Sequence, residues 1–179
     1  KSPAWHDQDG KDLVAAVIAV LKEYGYSKRE DRVFLQSFDM DSLKRARYEL
    51  GSDLKLVQLI GENSWKESAT DFDYLQTPEG LAEIAAFADG IGPWLPQVID
   101  IDKKYSPDIS ELVDLAHQNG LFVHAYTLRA DQLPPELGGM STAVKILLDQ
   151  TGLDGVFTDH PDQVVEFLKA VKRLSGQGK

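Results

Sequence analysis

The 179-residue chain is 42% hydrophobic and 27% charged, enough for one domain with its own core or for part of a larger one. Its formal net charge is −10 with the basic residues dispersed, which argues against a nucleic-acid surface and against unaided attraction to anionic membranes. Cysteine is absent, so disulfides and thiolate chemistry are excluded, and the longest apolar run, LVAAVIAVL, falls far short of the roughly 20 residues that span a bilayer.

The opening KSPAWHDQDGKDLVAAV has neither a start methionine nor the basic, apolar and small-residue regions of a signal peptide, and it reads like the interior of a longer protein. Apolar periodicity then predicts a helix over 11–24, with Asp9 or Gly10 near its start and Gly25 at its end. RVFLQSF (32–38) is a predicted strand, followed by a helix over 39–50 capped by Asp39 or Asp41, and LKLVQLI (54–60) is the next strand.

Residues 61–76 form a polar and aromatic connection longer than a turn. Thr77 and Pro78 open a helix, and DGIGP (89–93) is a short strand. Ser106 and Pro107 repeat the helix-start signal for a helix that stops at Gly120. GLFVHAYTLR (120–129) is the most telling strand. A loop over 130–140, a helix over 142–150, the strand DGVFT (154–158) and a helix over 161–172 complete the chain, with a frayed tail.

Strand and helix alternate throughout, with no hairpin signal, which implies parallel strands joined by helical crossovers. A doubly wound sheet would be favoured by a glycine-rich phosphate turn after its first strand, and none is present. Strand parity points elsewhere. Phe34, Gln36 and Phe38 share one face of their strand, and Phe122, His124 and Tyr126 share one face of theirs. Polar and aromatic groups gathering towards a strand's C-terminal end are the mark of barrel strands, whose tips floor the active site. Five strands are predicted where a closed (β/α)8 TIM barrel needs eight, so the expectation is an α/β chain supplying the later portion of such a barrel.

Several stretches resemble the glycerophosphodiester phosphodiesterase family, its longer bacterial, periplasmic-type members in particular. They are VFLQSFD, ADGIGP, VHAYTLR followed by DQLP, and GLDGVFTDHPD, while KSP resembles the end of the family's Glu-Ile-Lys strand. The resemblance covers essentially the whole chain. It implies hydrolysis of a glycerophosphodiester such as glycerophosphocholine to glycerol 3-phosphate and an alcohol. It also implies a divalent cation held by carboxylates, Ca²⁺ ahead of Mg²⁺, two catalytic histidines, and a periplasmic or secreted location. The family's His-Arg-Gly and Glu-x-Asp motifs, its second histidine and the Glu of Glu-Ile-Lys would all precede Lys1. No catalytic group and no metal ligand is therefore assigned within this chain, and the remainder of the barrel is an expected partner, in the same chain or another.

By the same resemblance Lys1 meets the substrate phosphate as a point charge. Gln36, placed in an apolar strand, needs a hydrogen-bond partner and becomes a pocket group. Phe38 and Tyr126 wall the glycerol or alcohol moiety, Arg129 reaches an anionic group or forms a rim salt bridge, and His124 stands behind the site. Of the other histidines, His6 is expected in an early loop, His117 on a helix and His160 beyond the last strand. Asp159 would cap the last helix, Trp65 and Trp94 would lie in rim loops, and Asp71 and Asp73 lack EF-hand spacing. Two other classes compete: a non-catalytic barrel fragment that binds or assembles with a companion chain, and a sphingomyelinase-D-like phospholipase.

Overall fold

The computed structural model describes residues 3–100, 108–133 and 139–176. The chain divides into two compact units, Lys1–Pro93 with Asp114–Val123, and Trp94–Val113 with His124–Lys179.

The first unit begins with α1 (Pro3–Asp7) and α2 (Leu13–Glu23). The N-cap of α2 is Asp12, whose Oδ1 accepts from Ala15 N at 2.9 Å and from Arg45 at 2.8 Å. Then come β1 (Phe34–Ser37), α3 (Met40–Tyr48), β2 (Lys55–Ile60), α4 (Phe72–Leu75), α5 (Pro78–Ala85) and β3 (Gly90–Pro93). Asp39 caps α3 by accepting from Ser42 N at 3.2 Å, and Thr77 caps α5 by accepting from Gly80 N at 3.1 Å, both as their sequence signals require. Gly25 and Gly51 follow α2 and α3 at φ of 88° and 62°, a region where a Cβ would be strained. The unit also takes most of α6 (Leu112–Gln118) and the first two residues of β6 (Phe122–Leu128).

Every ladder of this unit is parallel. Gln36 pairs with Val57, Val57 with Gly90, and Gly90 with Phe122, so these residues form one row on one face. Ser37, Gln58, Ile91 and Val123 form the adjoining row on the opposite face. That second face is the core: Leu56, Gln58, Ile60, Ile91 and Val123 are fully buried, and α3 and α5 lie against β2 and β3. Burying a Leu or Ile side chain completely is worth about 1.5–3 kcal/mol, which is why the helix-facing positions are aliphatic.

The N-terminal ends of β2 and β3 are locked by one arginine. Arg47 donates to the carbonyls of Phe87 (3.0 Å), Leu54 (3.1 Å) and Ser52, and to Asp89 Oδ2 at 2.9 Å. Asp89 Oδ2 also accepts from Leu56 N at 2.9 Å, its backbone N donates to Leu56 O at 2.9 Å, and Arg29 pairs with its other carboxylate oxygen.

In the second unit, β4 (Ile99–Asp100) and β5 (Asp108–Ile109) pair antiparallel. The rest of β6 pairs in parallel with β7 (Gly155–Thr158), and α7 (Met140–Gln150) and α8 (Pro161–Gly176) pack together. Met140, Ala143, Val144 and Leu147 bury one face of α7 at the i, i+3, i+4, i+7 spacing of an amphipathic helix.

All five expected strands are present as β1, β2, β3, β6 and β7, with parallel ladders. Four expectations fail. The segment around His6 is helical, not a loop. A hairpin occurs where none is signalled. The helix expected from Ser106 begins only at Leu112, because Asp108–Ile109 is taken up by the hairpin, and Ser106 and Pro107 themselves lie outside the described residues. Finally, α8 continues to Gly176, past its expected end at Lys172.

Candidate functional site

In the first unit the candidate site lies at the C-terminal ends of β1 and β2. Gln36 projects from β1 and is exposed, so its amide meets solvent and not an internal partner. The buried amide is that of Gln58, a residue the sequence reading passed over. Its Nε2 donates to Leu59 O at 2.9 Å and Phe38 O at 3.0 Å, while its Oε1 is buried without a hydrogen-bond partner. A lone amide inside LKLVQLI was the available signal, since an amide in an apolar run must be satisfied locally.

Phe38 is thereby held by its own backbone: its carbonyl accepts from Gln58 and from Ser68 Oγ (3.2 Å), and Asp39 N donates to Ser37 Oγ at 3.1 Å. Its ring meets Phe72 edge-on at a centroid distance of 5.9 Å. The connection after β2 is built and not loose. Asn63–Trp65 forms a 3-10 turn, and Asn63 Nδ2 donates to Asp71 and Asp73 at 2.9 Å each. Asp71 also caps α4, and the bond from Asn63, with help from the backbone N–H groups of Tyr74 and Asp73, holds its pKa below 3.8. Beside β1 a cavity of about 250 Å³ is lined by Val14 and Val17 of α2, Gln36 and Phe38 of the strand end, and Leu43 of α3, among others.

In the second unit the corresponding groups sit at the ends of β6 and β7. His124 is half-buried and packs where a Cβ on Gly155 would come within 2.9 Å of its ring. Burial pushes its pKa below 6.5, against an opposing pull from Asp154, so it is a neutral imidazole at neutral pH. Tyr126 is half-buried and bridges to Trp94. Arg129 Nε meets Asp159 Oδ2 at 2.8 Å, so Asp159 is engaged in an ion pair. The residue before Pro161 is His160, whose carbonyl accepts from Val164 N, and it performs the start of α8 in place of the expected Asp159. Thr158 ties the two strand ends by donating to Leu128 O at 2.7 Å and accepting from His160 N at 3.0 Å. Lys1 lies outside the described residues.

The strand ends of both units thus carry amide, aromatic and cationic groups, and the family model for the glycerophosphoryl diester phosphodiesterase family matches residues 2–163. The chain belongs to that family. It is 41% identical to a glycerophosphodiester phosphodiesterase of Haemophilus influenzae, covering 96% of this chain and 52% of that protein. To one of Treponema pallidum it is 33% identical, over 94% of this chain and 52% of that protein. The chain therefore spans about half the length of the curated relatives it matches. The fold is similar to the crystal structure of a candidate glycerophosphoryl diester phosphodiesterase from Silicibacter pomeroyi. The TM-score is 0.61 and the identity 24%, with 90% of this chain and 45% of that chain covered. Membership of the phosphodiesterase family accounts for the motifs at the ends of β1, β6 and β7, which are the stretches that first suggested it.

Proposed function

We propose that the protein carrying this chain hydrolyses glycerophosphodiesters to glycerol 3-phosphate and an alcohol, using a divalent cation, Ca²⁺ ahead of Mg²⁺. The observation that carries this reading is the family match over residues 2–163, supported by two relatives named for the activity. In it, the chain supplies the later strands of a (β/α)8 barrel. The two family histidines and the metal carboxylates come from sequence preceding Lys1, in the same chain or a companion, and the enzyme works in the periplasm or outside the cell.

Among the described residues no cluster of three or more His, Asp or Glu side chains could hold a metal. Asp71 and Asp73 are exposed and already engaged by Asn63. These residues do not fit the cation, so the part of this chain in the reaction is binding and orientation. The diester's transition state gathers negative charge on phosphoryl oxygens, and cationic donors must face it. Lys1 serves there, and Arg129 serves if its pair with Asp159 opens towards substrate. Gln36 offers the glycerol hydroxyls both a donor and an acceptor. Phe38 and Tyr126 give the carbon skeleton an apolar wall, and His124, neutral and half-buried, supports the wall from behind.

The test is release of glycerol 3-phosphate from glycerophosphocholine by the full-length protein, with and without excess chelator. Activity that chelator abolishes and Ca²⁺ restores is expected. Full activity under chelation removes the cation from the scheme, and no release at all removes the reading. A second reading, an assembly unit without catalysis, draws on β1, which among the described residues pairs on one side only, with β2. Size-exclusion chromatography showing a folded monomer would remove it.

A further inference from the structure

The rim of the first unit bears on which alcohol the substrate carries. Gly61, directly after β2, is buried, and a Cβ there would stand 2.9 Å from Trp65 Cε3 and 3.3 Å from Phe38 Cε1. Only a glycine lets the six-membered ring of Trp65 and the edge of Phe38 close over that stretch of backbone. Phe38 is braced by Phe72 and by the two donors on its carbonyl, so the seat is rigid. Trp65 itself remains 39% exposed, leaving aromatic surface open above the seat. Around it, residues 61–77 carry four carboxylates (Glu62, Glu67, Asp71 and Asp73) against one lysine (Lys66), a net charge of −3.

An aromatic platform ringed by fixed negative charge is complementary to an organic cation and to little else. We infer that Trp65, seated on Gly61 against Phe38, binds the alkylammonium end of a choline-type alcohol and so selects glycerophosphodiesters with a cationic head. The inference rests on the hydrolase reading. It also orients the substrate: the acidic rim repels the phosphodiester anion and attracts the ammonium, so the two ends of one zwitterionic molecule are driven apart along a defined direction. A diester of a neutral alcohol gains neither contact.

Two measurements on the full-length protein separate the possibilities. In the first, KM is compared for glycerophosphocholine and for the neutral-alcohol diester glycerophosphoglycerol. Trp65→Ala should raise KM for the first by about 3-fold to 30-fold, leave kcat and the second substrate unchanged, and be rescued by Trp65→Tyr. Gly61→Ala, which dislodges the ring without removing it, should act in the same direction. Equal losses on both substrates, or no loss on either, would overturn the inference. In the second, tetramethylammonium is titrated and the Trp65 indole resonance followed. A Trp65-dependent shift with no hydrolysis of either diester would sink the hydrolase reading and keep the cation seat. Hydrolysis with no shift and no Trp65 dependence of KM would do the reverse.

Discussion

The two ends of the same strands in the first unit are built on opposite terms. At the N-terminal ends of β2 and β3, Arg47 and Asp89 are mostly buried, at 15% and 9% side-chain exposure, and nearly every donor and acceptor finds a partner within the chain. At the C-terminal ends, Gln36 and Trp65 are open to solvent, and the polar network of Asn63, Ser68 and Asp71 serves to hold aromatic surfaces out. The first end is saturated and fixes the fold. The second is supported from beneath and left unsaturated above, as a surface meant to meet a ligand must be. What distinguishes a binding end from a structural one is therefore not polarity, which both have, but whether the polar groups are already satisfied.

The sharpest way to break this contrast is at the saturated end. Arg47→Ala leaves the Asp89 carboxylate and three carbonyls without their donor, and should destabilise the protein by about 3–5 kcal/mol in denaturant melts. Activity per folded molecule should be unchanged. Next in size is Gly90→Ala: the new methyl would stand 2.4 Å from the Phe122 ring and 2.6 Å from its carbonyl oxygen. A loss of about 1–3 kcal/mol is expected from that overpacking, read in the same melts. The open end predicts the opposite pattern. Trp65→Ala should move stability by less than about 0.5 kcal/mol while changing ammonium binding, because a half-exposed side chain adds little to the core.

The smallest effect is electrostatic. Arg45 first, and then the Ala15 backbone N–H, hold Asp12 at a pKa of about 2, below its ordinary 3.8. The folded pKa is depressed, so this stabilisation is complete above about pH 3.8 and is lost as pH falls towards 2. Melting temperatures across that window should fall less steeply in Asp12→Asn than in the parent. His124 follows the same sign at higher pH: its folded pKa lies below 6.5, so its contribution is complete above 6.5 and fades on acidification. His124→Gln should remove that part of the slope.

Much of the fold could be read from local chemistry. Asp39 and the Thr77–Pro78 pair announce their helices because a cap is a property of four consecutive residues, and they cap as expected. The hairpin of β4 and β5 was illegible because each strand has only two residues, too short for an alternation to show. The start of α2 was misplaced onto Asp9 or Gly10, since Asp12 is chosen by its pairing with Arg45, thirty-three positions away. The same separation in sequence hides the Arg47–Asp89 clamp. At the site, parity correctly put Gln36, Val57, Gly90 and Phe122 on one face. It could not say that Gln36 would be exposed while Gln58, on the other face, would be the amide needing partners. That depends on which side the helices cover.

Asp89 has one more consequence. Its carboxylate accepts the Leu56 N–H just where a neighbouring strand's peptide oxygen would, while its own N–H answers to Leu56 O. The first rung between β2 and β3 is thus half side chain, and it is anchored to two guanidinium groups. A pairing error of a single residue would tear that anchor away before any apolar side chain had been turned to the wrong face. The chain carries its own alignment mark, one ionic and therefore felt at a distance, at the point where the two strands first meet.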